Sequence, residues 1–226
     1  MNEFANRAHR VLIVGDHPLV RQGLRWLVDQ EDDLEICGEA ADVKEARAAL
    51  QQTQPNVVVL DLSLRDSNGI DLIKAIRSKY EQLPVLVCSI HDERIYAERL
   101  LSAGANGYIM KEATADQFLV ALRQVLAGEL YVSERVKTRM MERSAAGGRR
   151  QTGDRTERLS NREFEILGLI GQGKTTRQVA ESLSLSVKTV DSHRQRIKKK
   201  LGLQTSAQVV QFAILRQLMA PNVDPH

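Results

Sequence analysis

The sequence predicts an α/β fold, a five-stranded parallel sheet with helices on both faces, followed by a smaller all-α helix-turn-helix domain. Three observations carry this prediction. The first half alternates short, continuous apolar runs with stretches of helical spacing, five times over. The second half shows helical spacing only. A polar stretch bearing three glycines, residues 144–158, stands between them. Continuous apolar strands alternating with helices are the mark of a parallel sheet buried on both faces.

The expected strands are residues 10–14, 34–37, 56–60, 84–89 and 107–109, each apolar and rich in β-branched side chains. The expected helices between and after them are 19–29, 43–51, 70–79, 95–103 and 115–127. Ser133 is placed to cap one more helix, to 143. The run SAAGGRRQTGDRTER has no apolar periodicity and reads as a flexible linker. After it, Ser160-Asn-Arg-Glu163 is a capping-box signature and opens a helix carrying Phe164, Ile166, Leu167, Leu169 and Ile170. A short helix at 176–183, a turn at 184–186, a longer helix at 187–200 and a last helix at 206–219 complete the pattern. The expected domains are therefore 1–130, a linker helix and flexible linker at 131–157, and 158–226.

Apolar residues make up 42% and charged residues 27% of the 226, which suits a soluble globular protein. No apolar run approaches the roughly 20 residues of a membrane span, and the first ten residues lack a signal peptide's apolar core. A cytoplasmic protein with no membrane partner is expected. Cys37 and Cys88 lie far apart in apolar runs and read as buried free thiols, not as a metal pair. Residues 1–130 hold 14 Lys and Arg against 20 Asp and Glu, a balance of −6; residues 131–226 hold 18 against 9, a balance of +9. A basic half joined to an acidic one points to nucleic acid for the second half, although a solvated basic surface would give the same sum.

In such sheets ligands bind at the carboxyl ends of the strands. Asp61 ends the run Val57-Val-Val-Leu60, and Asp16 follows the first strand. Ser89 ends the fourth strand and Lys111 follows the fifth. Carboxylates supply hard oxygen ligands for Mg²⁺. The cation and a lysine can neutralise an incoming phosphoryl group, and a hydroxyl can donate to one of its oxygens. One strand-end Asp is more often a helix cap; four such groups at four strand ends point to phosphoryl chemistry.

The segments VLIVGDHPLVRQGL, VVVLDLSLRDSNGIDLI, PVLVCSIHDE and AGANGYIMKEA resemble the receiver domains of response regulators, which have a flavodoxin-like (βα)5 fold, over roughly residues 8–130. The resemblance implies that Asp61 is the phospho-acceptor and Asp16 a direct Mg²⁺ ligand, with the Ser63 backbone carbonyl as a further ligand. It makes Ser89 the switch hydroxyl, Tyr108 the switch aromatic and Lys111 the family's lysine, and it implies a sensor histidine kinase as partner. Gly15 departs from the family, which usually has an acid there. The loss of one carboxylate should weaken Mg²⁺, because affinity depends on ligand charge count. Arg65 stands where the family often has Pro. The alternative is a DNA-binding regulator whose receiver acts independently of phosphorylation. A phosphatase using Asp61 as nucleophile lacks a second acid two residues on, where Ser63 stands, and no enzyme is expected.

The run LSNREFEILGLIGQGKTTRQVAESLSLSVKTVDSHRQRIKKKLGL resembles the LuxR/NarL-type effector domain, and the two resemblances together name the NarL/FixJ class. On residues 187–200, Val190, Ile197 and Leu201 share one helical face; Lys188, Ser192, Gln195 and Lys199 share the other. That polar face can enter a major groove, with Lys198-Lys199-Lys200 as a dense positive end. The family places base contacts at Asp191, Ser192 and Gln195. The expected DNA-binding set is therefore Lys188, Asp191, Ser192, Gln195, Lys199 and Lys200, and the expected partner is double-stranded DNA. The last helix is apolar around much of its circumference, which fits a homodimer on DNA. RNA polymerase is a further partner such a regulator can meet. Residues 168–175 match the phosphate-loop pattern G-x-x-x-x-G-K-[ST], but a helix cap precedes them and only 51 residues follow. No nucleotide site is expected there.

Overall fold

The computed structural model describes residues 8–62, 64, 69–90, 93–145, 155–183 and 185–219. It divides the chain into two compact units, Met1–Gly148 and Arg149–His226.

The first unit is a five-stranded parallel sheet. Its elements are β1 (His9–Val14), α1 (Pro18–Asp29), β2 (Leu34–Ala40), α2 (Val43–Thr53), β3 (Val57–Asp61), α3 (Gly69–Lys79), β4 (Val85–Ser89), α4 (Glu93–Ser102), β5 (Gly107–Met110), α5 (Ala115–Leu126) and α6 (Glu134–Ala145). The strand order is β2-β1-β3-β4-β5, so the winding reverses between β1 and β3. Chain leaving β1 and β3 therefore diverges at their carboxyl ends and opens a crevice. On one face, Val11, Ile13, Val57, Val59 and Leu86 pack against Phe118, Ala121, Leu122 and Val125 of α5. Local chemistry sets the helix starts. Thr114 and Gln117 form a capping box on α5, Asp42 accepts from the Glu45 N–H on α2, and Pro18 opens α1, where a missing N–H costs nothing.

The structure departs from the sequence reading in three places. Strand β2 runs three residues past the expected end at 37. It is the edge strand and half exposed, so Gly38-Glu39-Ala40 carry no apolar pattern. Its register steps over Cys37, since Val11 pairs with Ile36 and Leu12 with Gly38. Cys37 is consequently only half buried, 3.5 Å from Thr53 Oγ1, and not the buried thiol expected. Cys88 is buried, and burial pushes its thiol up to about 12.

The second departure is the expected linker at 131–157. Tyr131 forms a parallel bridge with Gly107, accepting from the Tyr108 N–H at 2.8 Å and donating to the Asn106 carbonyl at 3.1 Å. Val132 and Val136 are buried. Helix α6 then packs on α4, with Ser133 donating to Glu93 at 2.6 Å and Arg139 pairing with Glu98 at 3.5 Å. Residues 131–145 thus close the β5 edge and belong to the first unit. The third departure is at the linker's far end, where Arg155–Arg158 form a 3₁₀ turn with Thr156 and Leu159 buried. Residues 146–154 of the expected linker lie outside the described residues.

The second unit is helical: α7 (Asn161–Gly171), α8 (Thr176–Ser182), α9 (Val187–Leu201) and α10 (Ser206–Met219). Ser160 and Glu163 form the expected capping box, Thr175 and Gln178 form another on α8, and Ser186 caps α9. Gly173 (φ 80°) makes the turn after α7, and Gly202 (φ 68°) ends α9 in the left-handed region that glycine tolerates. Phe164, Ile166, Leu167, Val190, Ile197, Leu201 and Val209 fill the core.

Candidate functional site

The first candidate site lies at the sheet's carboxyl edge, where the strand order reverses. Asp61 is the last residue of β3, and Asp16 follows β1, its immediate neighbour in the sheet. Asp61 is 3% exposed and the Asp16 side chain 8%. Two buried carboxylates need cationic company. Lys111 supplies it, its Nζ 2.6 Å from Asp61 Oδ2. Lys111 is held in turn by its own N–H, which donates to the Ser89 carbonyl at 2.9 Å. Ser89 ends β4 and is fully buried; Tyr108 in β5 is 1% exposed. Asp61, Asp16, Ser89 and Lys111 thus meet at one sheet edge, with Tyr108 inside the fold beneath it. Ser63 and Arg65 lie outside the described residues.

Two contributors to this pocket were absent from the sequence reading. His17 Nδ1 lies 2.6 Å from Asp16 Oδ1 and 3.7 Å from Asp61 Oδ2. Its place directly after a strand-end acid was the available signal. Arg21 on α1 donates to the Gly15 carbonyl at 2.5 Å and to Glu39 at 3.1 Å, fastening the loop after β1. Burial pushes the Glu39 carboxyl up, but hydrogen bonds from Arg25 and Arg21 outweigh it and hold the group below the ordinary carboxylate value.

Gly15 is buried, and a Cβ there would come within 2.9 Å of Asp61 Cβ. Real Cβ atoms essentially never approach so closely, so the ends of β1 and β3 sit at a separation that suits glycine. An acid restored at position 15 must shift Asp61 before it can offer charge. Asp16, His17 and Asp61 each bring one donor atom, and the three atoms lie within 4.8 Å of one another. Two carboxylate oxygens at this spacing fit a divalent cation.

The second candidate site is α9. Val190, Ile197 and Leu201 are buried, while Lys188, Asp191, Ser192, Gln195 and Lys199 are exposed on the opposite face. The Ser192 hydroxyl donates to the Lys188 carbonyl at 3.0 Å, leaving its oxygen's acceptor sites facing outward. Arg194 reaches from α9 to Thr176 on α8 at 3.1 Å, and Arg162 of α7 donates to the Leu183 carbonyl at 3.0 Å. These bonds fix the α8–α9 turn from either side.

Lys200 does something other than the sequence reading expects. Its Nζ lies 2.7 Å from Oε2 of Glu163, which is 2% exposed. Burial pushes the Glu163 carboxyl up, yet hydrogen bonds from Lys200 and Ser160 prevail and hold it below the ordinary value. The ammonium of Lys200 therefore neutralises an interior acid rather than standing free on the groove face. His193 lies near the same cluster; burial and Arg196 lower its pKa. The phosphate-loop match falls on helix α7 and the turn before α8, where Thr175 caps α8 and Lys174 Nζ reaches Ser182 at 3.0 Å.

On α10, Val209 and Ala213 are buried, whereas Ile214 and Leu215 stay 39% and 47% exposed. With Ala207, Val210 and Gln211 they line a shallow, nearly apolar groove. Among the described residues no helix is long and apolar enough to cross a membrane.

Known proteins share both units. Residues 11–123 match the response regulator receiver domain, and residues 157–213 match the bacterial regulatory proteins of the luxR family. The oxygen regulatory protein NreC of Staphylococcus aureus is 33% identical over 214 residues, 93% of this chain and 99% of that protein. RcsB of Salmonella enterica serovar Typhimurium, solved bound to promoter rprA with the phosphomimetic BeF3−, is 26% identical. The match covers 92% of this chain and 99% of RcsB, with a TM-score of 0.55. A structure of two RcsB dimers bound to two parallel DNAs matches 96% of this chain and all of that one at 25% identity, also with a TM-score of 0.55. The chain belongs to the two-component response regulators, as a receiver domain followed by a luxR-family regulatory domain, and not to a family of enzymes.

Proposed function

We propose that this chain regulates transcription by binding double-stranded DNA through α9 under the control of phosphorylation at Asp61. One observation carries the reading: a buried Asp61 at the sheet's switch point, with Lys111 Nζ at 2.6 Å, on the same chain as a helix exposing Lys188, Ser192, Gln195 and Lys199. Asp61 would attack phosphorus on the phosphohistidine of a sensor histidine kinase. The new bond is carboxylate oxygen to phosphorus, and the bond to the kinase's imidazole nitrogen breaks. Mg²⁺ held by Asp16, Asp61 and the Ser63 carbonyl would offset charge on the transferring group.

The chain's own residues carry the signal onward. Lys111, now paired with Asp61, is placed to turn its ammonium to a phosphoryl oxygen. The Ser89 hydroxyl is the donor for another, and movement of Ser89 would draw on β4. Tyr108 lies in the neighbouring strand, where Cys88 pairs with Ile109 and Val87 with Tyr108. Base reading falls to Ser192, Gln195 and Asp191; phosphate contact falls to Lys188 and Lys199. Lys200 acts through Glu163. The exposed apolar strip on α10 fits a second copy, giving a homodimer on paired sites, with RNA polymerase and a cytoplasmic setting as the remaining expectations.

A second reading keeps DNA binding and drops the switch, and Gly15 favours it, because the pocket has one acid fewer than the family's. Addition of beryllofluoride with a divalent cation separates the two. A rise in dimer fraction and DNA affinity supports phosphorylation control; identical binding with and without the mimic supports the second reading.

A further inference from the structure

We propose that His17 is a further protein ligand of the cation site, beside Asp16 and Asp61, so that the site selects a first-row transition-metal dication over Mg²⁺. The inference rests on the reading of Asp16 and Asp61 as cation ligands and concerns what completes their set.

His17 is the N-cap residue of α1, with extended backbone (φ −94°, ψ 107°), but its side chain makes no capping hydrogen bond. Pro18 at the first helical position removes one N–H that a cap would serve. The Arg21 N–H donates to the His17 carbonyl at 3.1 Å, which fixes the residue at the helix start. The imidazole is thus relieved of capping and turned to the acids, with Nδ1 2.6 Å from Asp16 Oδ1 and 3.7 Å from Asp61 Oδ2. Donors about 2.1 Å from one metal lie some 3 Å apart when adjacent and about 4.2 Å apart when opposite. The Asp61 separation falls inside that range. The Asp16 separation is a hydrogen-bond distance, so a cation need open it by only a few tenths of an ångström.

Charge and chemistry then fix the metal class. Gly15 offers no side chain, and a Cβ there would crowd Asp61 at 2.9 Å. Among the described residues, the His, Cys, Asp and Glu side chains gathered there accordingly offer two carboxylate oxygens and one imidazole nitrogen. Mg²⁺ prefers an all-oxygen octahedron and keeps its waters. Imidazole favours the later transition dications, and for a mixed nitrogen–oxygen site affinity rises along the series from Mn²⁺ to Co²⁺ and beyond. The missing carboxylate at 15 removes charge that Mg²⁺ needs, and the imidazole at 17 supplies a nitrogen that Co²⁺ or Zn²⁺ uses.

Titration calorimetry of the full chain with MgCl2 and with CoCl2 tests this, alongside the visible ligand-field spectrum of bound Co²⁺, without any phosphodonor. His17→Ala should weaken Co²⁺ by about tenfold or more and alter its spectrum, while changing Mg²⁺ affinity less than about twofold. Asp16→Asn should weaken both ions. An equal effect of His17→Ala on the two ions, or none on Co²⁺, overturns the role of His17. Loss of neither ion in Asp16→Asn would instead overturn the location of the site itself. Circular dichroism of each variant establishes that it is folded.

Discussion

The two candidate sites are built in opposite ways. The Asp61 pocket gathers residues 16, 61, 89 and 111 from four strand ends and buries their charges. The α9 face takes all its groups from one 15-residue helix and exposes them. In the pocket each polar group is held by another, so removing one disturbs the fold. On α9 the groups are exposed and, under the proposed function, meet a partner outside the chain, so removing one should leave the fold alone and change only binding. Lys200 tests the distinction, since it sits on the helix of the second site but behaves like a member of the first.

The largest effect is expected in the pocket. Lys111→Met leaves Asp61, 3% exposed, without its ammonium, and loss of one partner of a buried pair costs roughly 3 kcal/mol. Urea unfolding without divalent ions should read this loss, and added divalent ion should restore part of it. Stability equal to wild type would mean that the pocket is as loosely built as α9.

Lys200→Met should come next, destabilising the second unit by about 2 kcal/mol through the unpaired Glu163. Its sign with pH is fixed. Glu163 has a folded pKa held below 4.5, so its contribution is fully present above that value and lost as pH falls through the folded pKa. The gap between wild type and Lys200→Met should therefore narrow on acidification. A gap that widens would mean that Lys200 stabilises some other group.

Smaller effects belong to the exposed face. Gln195→Ala should cost roughly 1–3 kcal/mol on a preferred duplex and much less on random DNA, with unfolding unchanged. Lys199→Ala should weaken both duplexes alike and lower the salt slope by about 1. If either variant unfolds at lower urea, α9 is part of the scaffold and the contrast fails.

The same contrast governs what could be read from sequence. The α9 face was legible because helical period alone sorts Val190 and Ile197 from Ser192 and Gln195. The pocket was legible only as strand-end residues, since βα alternation implies a parallel sheet whose carboxyl edge gathers them. What escaped depends on distances between chain segments. The closeness of β1 to β3 at Gly15, the turn of His17 toward Asp16, and the reach of Lys200 to Glu163 across 37 residues have no period to announce them. Tyr131 looked like linker because it joins the β5 edge through backbone bonds, which leave no trace in side-chain pattern. Strand β2 ran past its apolar residues for the same reason.

Under the proposed function, the buried carboxylate at the end of β3 controls the basic helix of the second unit. The most direct test of this control is intact mass and DNA binding of wild type and Asp61→Asn after incubation with acetyl phosphate and a divalent ion. Wild type should gain the mass of one phosphoryl group and bind duplex DNA more tightly, and Asp61→Asn should do neither. A phosphoryl group on Asp61→Asn, or a phosphorylated wild type with unchanged DNA affinity, would contradict it.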